Sequence, residues 1–455
     1  MKIIPIYTDK DNDRLILIFA GWSTQPDFYR PLKRDGWDLA VVADYTDFHL
    51  SKSFLKNYTT VYVYAWSLGV YAAARTLDND DFTAAFAING TERPADDTYG
   101  IPVKIYRGTS ATLSENNLFK FRLRMCGGRD SMRTLTDSLS APDDIAHLRT
   151  ELDAIESDAA SHPSLRMRWN RAYIADADRI FPPAAQNAYW ESRRDVPVVT
   201  LQSSHLPDLA TIVASSTPDP AQTARNFSAA LSTYDEYASP QAAIADRLTH
   251  ILIESNPAVG GSILELGHGS GLFTRRYAPV LRPAVADFVD LYPTPHFGIA
   301  PVENYHIADA ERWIASHHEP KRDFILSSAC LQWFANTDEF FRNAALTLRP
   351  GGSLLFSTFL PGNLRELDRL RPTPLSYPSA DEIERLLRRR FPSVRIETET
   401  IRHRFDSPRQ ALAHLAFTGV KGNVQATARF PLRDALRDGD SYVLTYEVLY
   451  AIASF

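Results

Sequence analysis

The run Ser262-Ile-Leu-Glu265-Leu-Gly267-His268-Gly269-Ser270-Gly271-Leu272 limits the fold more than any other part of the chain. Apolar, strand-forming residues lead into a turn with glycine at every second position, and a helix-like stretch follows. Glycine adopts backbone angles that other residues resist and lets a chain approach a ligand closely. Such a turn belongs where a strand hands over to a helix N-terminus. Helix-like Asn226–Glu254 precedes the run. After it come helix Leu272–Leu281, strands Ala284–Val289 and Asp323–Ser328, helix Asp338–Leu348 and strand Ser353–Phe359. Alternation of this kind predicts a doubly wound parallel sheet with ligands at the carboxyl ends of its strands.

A different α/β pattern lies N-terminal to Ser215-Ser216-Thr217-Pro218-Asp219-Pro220, which is small, polar and proline-broken, as a linker is. Leu15–Phe19, Val61–Ala65, Ala84–Ile88, Val103–Tyr106, Ala172–Ala175 and Val198–Leu201 read as buried strands. A charged, helix-rich interruption at about 111–168 reads as a cap over a site. The expected organisation of the 455 residues is one α/β domain over 1–214, a linker over 215–224 and a second α/β domain over 225–455.

The formal net charge of −6 argues against a nucleic-acid binder. Two distant cysteines, Cys126 and Cys330, make neither a disulfide framework nor a metal cluster, so a reducing compartment and no metal are expected. Charges interrupt the N-terminal apolar run too early for a secretory leader. No early apolar stretch is bilayer-length, so the expected location is cytoplasmic, off the membrane.

In the first domain, a strand-like run ends at Ala65-Trp66-Ser67-Leu68-Gly69 and a helix-like stretch follows. A serine raised on a crowded strand-to-helix turn needs small residues two before and two after it, here Ala65 and Gly69. A serine merely capping a helix would leave the same pentad. Asp178 and His205 lie just past the strands Ala172–Ala175 and Val198–Leu201. The chain order Ser67, Asp178, His205 is that of α/β-hydrolases. His205 would take the proton of Ser67, and Asp178 would hold the imidazole. Asp176 is the alternative acid. Phe19-Ala20-Gly21-Trp22-Ser23 follows an early strand and could supply an oxyanion-hole N–H.

In the second domain the run is E-x-G-x-G-x-G, not the G-x-G-x-x-G of dinucleotide sites. S-adenosylmethionine (SAM) has no pyrophosphate and carries an ammonium group, which suits Glu265 beside Gly267, Gly269 and Gly271. Asp290, with Leu291 next to it, is best placed for the ribose hydroxyls, and Asp287 is the alternative. Asp309 and Ala310 suit the adenine amino group and ring. His268 is counted with this loop as an exposed histidine rather than a catalyst. Gln332 and Trp333 follow the fourth strand at the reacting end.

The first domain resembles the BioG-type pimeloyl-[acyl-carrier protein] methyl ester esterases over nearly all of 1–214. The match lies in FAGWS, YAWSLG, GIPVKIYRGT, FKFRLRMCGG, DRIFPPAAQNAYW and SSHLPD. The resemblance implies an α/β-hydrolase with a helical cap, the triad Ser67, Asp178 and His205, and oxyanion-hole amides from Trp22 and Leu68. From about Arg225 to Phe455 the chain resembles the BioC-type malonyl-[acyl-carrier protein] O-methyltransferases. Here the match lies in Phe227, Tyr234, Ala238, Gln241 and Leu248, and in LELGHGSG, DAERW, SSACLQWF, LRPGGSLLFSTFLPGNLREL and HLAFTGV. It implies a class I SAM-dependent, Rossmann-like methyltransferase yielding S-adenosylhomocysteine. The tail Leu436–Phe455 is left unassigned.

Together the resemblances imply a bifunctional enzyme of biotin synthesis. One half esterifies the free carboxyl of malonyl thioester, and the other removes the methyl from pimeloyl-carrier protein. Two alternatives are a hydrolase-like half serving only as a carrier-protein docking module, and the same folds acting on other carboxylic acids. The implied partner is an acidic acyl carrier protein, so a net-negative chain needs local positive charge to dock it. Lys120, Arg122, Arg124 and Arg129, alternating with apolar residues in the cap, are the first candidates. Arg388, Arg389 and Arg390 are the second.

Overall fold

Uninterrupted apolar runs form the centre of both sheets, as expected of parallel strands covered on both faces. A computed structural model of the chain describes residues 1–139, 144–368, 377–418, 437–438 and 441–455. The chain divides into two units, Met1–Thr217 and Pro218–Phe455.

The first unit holds β1 (Lys2–Tyr7), β2 (Arg14–Phe19), β3 (Asp38–Ala43), β4 (Thr60–Trp66), α1 (Gly69–Thr76) and β5 (Ala84–Ile88). The helices α2 (Val103–Ala111), α3 (Glu115–Cys126), α4 (Arg129–Asp137) and α5 (Ile145–Ser161) follow. The unit closes with β6 (Arg171–Ala175), α6 (Pro183–Ser192), β7 (Val198–Leu201) and α7 (Leu209–Ser216). Its sheet runs β1-β3-β2-β4-β5-β6-β7, antiparallel only where β1 meets β3. Every residue of β2, β4, β5 and β6 is buried.

Val103–Tyr106 is a correction: it opens α2 rather than forming a strand. Its buried positions are Tyr106 and Ser110, one helical turn apart, while Ile105 is 59% exposed. A buried strand would cover them in succession. The segment expected to link the domains is mostly helical. Ser215 and Ser216 end α7, and Pro220 opens α8, with the Asp219 side chain accepting from the Gln222 N–H.

The second unit holds α8 (Pro220–Ala230), α9 (Tyr234–Tyr237), α10 (Ser239–Glu254), β8 (Ser262–Leu266), α11 (Thr274–Leu281), β9 (Val285–Asp290) and β10 (Val302–Ile307). Then come α12 (Ala310–Ser316), β11 (Arg322–Ser328), α13 (Thr337–Thr347), β12 (Leu348–Phe359), α14 (Ala380–Arg388), β13 (Ser393–Phe405), α15 (Pro408–Phe417), β14 (Arg437–Asp438) and β15 (Ser441–Ser454). The sheet order is β10-β9-β8-β11-β12-β15-β13. Strands β8 to β12 are parallel, and β15 lies antiparallel between β12 and β13. The unassigned tail therefore contributes an inner strand; Leu436, Gly439 and Asp440 lie outside the described residues, as do Gly419 and Val420. The single helix expected over Asn226–Glu254 is three, with Pro240 at the start of the last. Among the described residues, no helix is long and apolar enough to cross a membrane.

Candidate functional sites

Strand β4 delivers Ser67 to a sharp turn. Ser67 has φ +60°, its N–H donates to the Ile88 carbonyl at 2.8 Å, and α1 begins two residues later. The crowding explains the small neighbours. A Cβ on Gly69 would lie 2.4 Å from the Phe19 carbonyl oxygen, and one on Gly90 would lie 2.3 Å from that of Ser67.

Ser67 Oγ is 2.8 Å from His205 Nε2, and His205 Nδ1 is 2.7 Å from Asp178 Oδ2. All three side chains are buried. Asp178 Oδ1 accepts the N–H groups of Ile180 and Phe181 at 2.8 Å each, and Oδ2 also accepts Gln186 Nε2 at 3.1 Å. These donors fix the carboxylate so that one oxygen faces the imidazole. Asp176 is exposed and, among the described residues, accepts the Ser203 N–H at 3.2 Å rather than the His205 imidazole, so the alternative acid stands outside this relay. The His205 carbonyl accepts from both Trp66 Nε1 (2.9 Å) and Asn89 Nδ2 (2.8 Å). Asn89, fully buried at φ +48°, also accepts the Ala175 N–H, joining the strand before the acid to the loop of the base. Asn89 and Gln186 were missed from sequence; the Asn-Gly pair directly after β5 was the available signal.

The backbone N–H groups of Trp22 and Leu68 donate to no acceptor among the described residues. The neighbouring Gly21 N–H donates to Tyr29 Oη at 2.9 Å, and Ser23 stands at φ +66°. In the cap, α3 buries Leu118, Arg122, Met125 and Cys126. That spacing corrects the docking set. Alternation was read along a helix of 3.6-residue period, so Arg122 falls on the covered face while Lys120, Arg124 and Arg129 are exposed. Arg388 is paired with Glu384, and Arg389 and Arg390 with Asp338.

In the second unit a cavity open to solvent lies over the glycine turn. Glu265, Gly267, His268, Gly269, Asp290, Leu291, Asp309, Ala310 and Trp333 line it. Gly271 and Gln332 are not among its lining residues; Gln332 donates to the Ala329 carbonyl at 2.6 Å. Asp290 Oδ2 accepts the Gly269 N–H at 2.8 Å and Oδ1 accepts its neighbour Leu291 N–H at 2.7 Å. Burial nevertheless pushes its carboxyl up to about 6. Burial likewise raises Glu265 to about 7, although Thr274 and Tyr277 both donate to it. Asp287 is committed elsewhere, to Arg322 at 2.7 Å and Asn304 at 3.1 Å. Asp309 caps α12 by accepting the Glu311 N–H.

His268 is a correction to the expected exposed loop residue. It is buried against Phe288, Phe297 and Tyr305, with Nε2 2.5 Å from Thr294 Oγ1, and burial lowers its pKa to about 4. Helices α8 to α10 close the cavity with Phe227, Tyr234 and Gln241, whose Oε1 is buried without a protein partner. The lining holds three carboxylates and neither lysine nor arginine, which suits a ligand with a cationic group and hydroxyls.

Two α/β units, one with a Ser-His-Asp relay and one with a glycine turn at a largely apolar cavity that holds three acidic side chains, define the class; comparison with known proteins sharpens it. Residues 4–211 match the family described as pimeloyl-ACP methyl esterase BioG, and residues 234–390 match a methyltransferase domain family. The second unit is thus a methyltransferase domain. The chain is 30% identical to the malonyl-[acyl-carrier protein] O-methyltransferase of Bacteroides fragilis (strain 638R), over 96% of this chain and 92% of that protein. It belongs to that family of malonyl-[acyl-carrier protein] O-methyltransferases. The protein of the same description from Porphyromonas gingivalis is 33% identical over 50% of this chain and 93% of its own length. The crystal structure of BioG from Haemophilus influenzae is 34% identical over 45% of this chain and 94% of that one, with a TM-score of 0.42.

Proposed function

We propose that the chain carries two opposing activities of biotin synthesis. Its second unit methylates the free carboxyl of malonyl-[acyl-carrier protein] with SAM. Its first unit hydrolyses the methyl ester of pimeloyl-[acyl-carrier protein]. The observation that carries the esterase reading is the Ser67–His205–Asp178 relay beside two unengaged backbone amides.

In hydrolysis, Ser67 Oγ attacks the ester carbonyl carbon while His205 Nε2 takes its proton. The Trp22 and Leu68 amides hold the developing oxyanion. His205 then protonates the departing methoxide, which leaves as methanol; water, deprotonated by the same imidazole, attacks the acyl-enzyme, and the proton returns to Ser67 Oγ as the acid is freed. Asp178 keeps Nδ1 protonated and Nε2 free to act.

In the second unit, SAM supplies an electrophilic methyl group when bound. Asp290 would take the ribose hydroxyls, Asp309 and the Ala310 N–H the adenine, and the Gly267–Ser270 backbone the amino-acid end, with Glu265 behind it. The acceptor carboxylate is anionic at neutral pH, since such acids titrate at roughly 3 to 4, so no base is needed. Positioning and exclusion of water by Phe227, Tyr234 and Trp333 are the residues' contribution.

The test is rescue of two biotin auxotrophs, one lacking the methyl-transfer step and one lacking the ester-cleavage step. The reading expects both to grow with this gene. Failure to rescue the second would leave the methyltransferase alone.

Asp290 gives a further expectation. A protonated carboxyl is a poor acceptor, so a ligand that donates two hydroxyls prefers the ionised form. With the carboxyl raised to about 6, SAM affinity should fall as pH drops from 7.5 to 5, and binding near pH 6 should release a proton. Calorimetry in buffers of different ionisation heat reads that proton. Asp290→Ala should weaken binding by about 1–3 kcal/mol and remove the pH dependence. Unchanged affinity would move the ribose elsewhere.

The carrier protein is read as docking on Lys120, Arg124 and Arg129. Lys120→Glu with Arg124→Glu should raise KM for the carrier-bound ester, scarcely alter hydrolysis of a small free methyl ester, and flatten the salt dependence. Equal loss on both esters would refute docking there.

A further inference from the structure

We infer that Arg122, the charged residue on the buried face of α3, is a positioning residue that holds the Trp22 amide in place from the cap. The inference rests on the esterase reading and assigns to the cap a role beyond covering the site.

Arg122 is 4% exposed, and its guanidinium donates to the Ser23 carbonyl oxygen at 2.5 Å. A cation placed to attract a carrier protein has no reason to be buried; a cation gripping a backbone carbonyl has. Ser23 directly follows Trp22 and sits in the left-handed region, where a non-glycine residue stays only if its surroundings hold it. The same cap grips the rest of that loop. The Trp22 ring meets Phe121 edge-on at 4.9 Å between centroids, and Trp22 Nε1 donates to the Leu148 carbonyl of α5 at 3.0 Å.

Helix α3 also reaches the opposite side of the site. The Met125 carbonyl accepts the Leu206 N–H at 2.9 Å, next to His205. Gly127, at φ +70°, lies so close to Ser204 that an added Cβ would be 2.7 Å from the Ser204 Cβ. One cap helix therefore spans the loop bearing the Trp22 amide and the loop bearing the base. Releasing the Ser23 carbonyl loosens the Ser23–Thr24 peptide, whose N–H donates at 3.3 Å to the Gly21 carbonyl of the same peptide unit that carries the Trp22 N–H, and an oxyanion donor acts only when fixed before charge develops.

The experiment uses the full chain with Arg122→Ala and Arg122→Lys, on a small free methyl ester and on the carrier-bound ester. Arg122→Ala should lose about tenfold to hundredfold in kcat on both, with KM within about twofold of wild type. Affinity for an alkylboronic acid, which makes an anionic tetrahedral adduct on Ser67, should fall by a similar factor. Arg122→Lys, which keeps a cationic donor, should lose less, and added guanidinium ion should restore part of the Arg122→Ala rate. Unchanged kcat and boronate affinity would overturn the clamp. So would a rise in KM confined to the carrier-bound ester, which marks docking, or a loss that neither lysine nor guanidinium relieves, which marks a fold defect. A wild-type chain that hydrolyses no methyl ester would instead overturn the esterase reading beneath it.

Discussion

Ser67→Ala should remove methyl-ester hydrolysis almost completely, by about 10⁴-fold or more in kcat, while SAM binding by the same chain stays at its wild-type level. The size follows from the relay. His205 Nε2 lies 2.8 Å from the serine oxygen and 2.7 Å separates its other nitrogen from Asp178, so the groups act as a unit. Removing any member of such a unit costs most of its contribution. What survives comes from the amides of Trp22 and Leu68, which the substitution leaves in place. Asp178→Asn should fall nearly as far, because an amide can donate to His205 Nδ1 and so favour the tautomer that cannot accept the serine proton. The chemical check is labelling by a fluorophosphonate, which should mark wild type at Ser67 and leave Ser67→Ala unmarked. Hydrolysis at the wild-type rate by Ser67→Ala would end the triad assignment.

Much of this site was legible in the sequence because its members sit at strand ends. Leu15–Phe19, Val61–Ala65 and Ala172–Ala175 are buried on both faces, so their runs are unbroken and their ends stand out. Ser67 and Asp178 follow two of those ends; His205 follows β7, expected as a buried strand but exposed or half-buried along its length, and the structure brings the three within hydrogen-bond distance. The polar edge strand β10 gives no such run: Val302 and Ile307, its apolar ends, are 49% and 65% exposed. Val103–Tyr106 gives the opposite error, an apolar tetrad too short to tell strand from helix. Arg122 was misplaced for a related reason. Its run alternates charge and apolar character at period two, yet the backbone there is a helix, so charge on one face in a strand becomes charge all round. Asp287 and Asp290 lie on one strand three residues apart. The sequence ranks Asp290 first; tertiary structure adds the reason against Asp287, because Arg322 comes from β11 to pair with it. Asn89 was missed as a site residue because its partners, the His205 carbonyl and the Ala175 N–H, are distant in sequence.

Gly267→Ala should weaken SAM binding by about 100-fold or more and abolish methyl transfer, with ester hydrolysis unaffected. Two costs combine at this position. Gly267 has φ +71°, an angle that costs an alanine of order 1 kcal/mol or more. A Cβ there would also stand 2.4 Å from Cys330 Sγ and 2.8 Å from Cys330 Cβ, well inside contact distance. The turn must therefore move, and it carries the Gly269 N–H that binds Asp290 at 2.8 Å. Moving it disturbs Asp290 and the backbone proposed for the cofactor together; about 3 kcal/mol corresponds to the expected hundredfold. Gly269 separates the two costs. It has φ +53° but meets nothing nearer than Tyr292 Oη at 3.7 Å, so Gly269→Ala bears the angular cost without the collision and should lose less. Cys330→Gly removes the colliding atoms, so pairing it with Gly267→Ala should recover part of the affinity, with the angular cost remaining. Calorimetric titration of SAM into the four variants reads these differences directly. Equal losses in Gly267→Ala and Gly269→Ala, with nothing recovered in the double variant, would show that contact with Cys330 does not shape the turn. SAM binding to Gly267→Ala as tight as to wild type would remove the glycine turn from the cofactor site altogether.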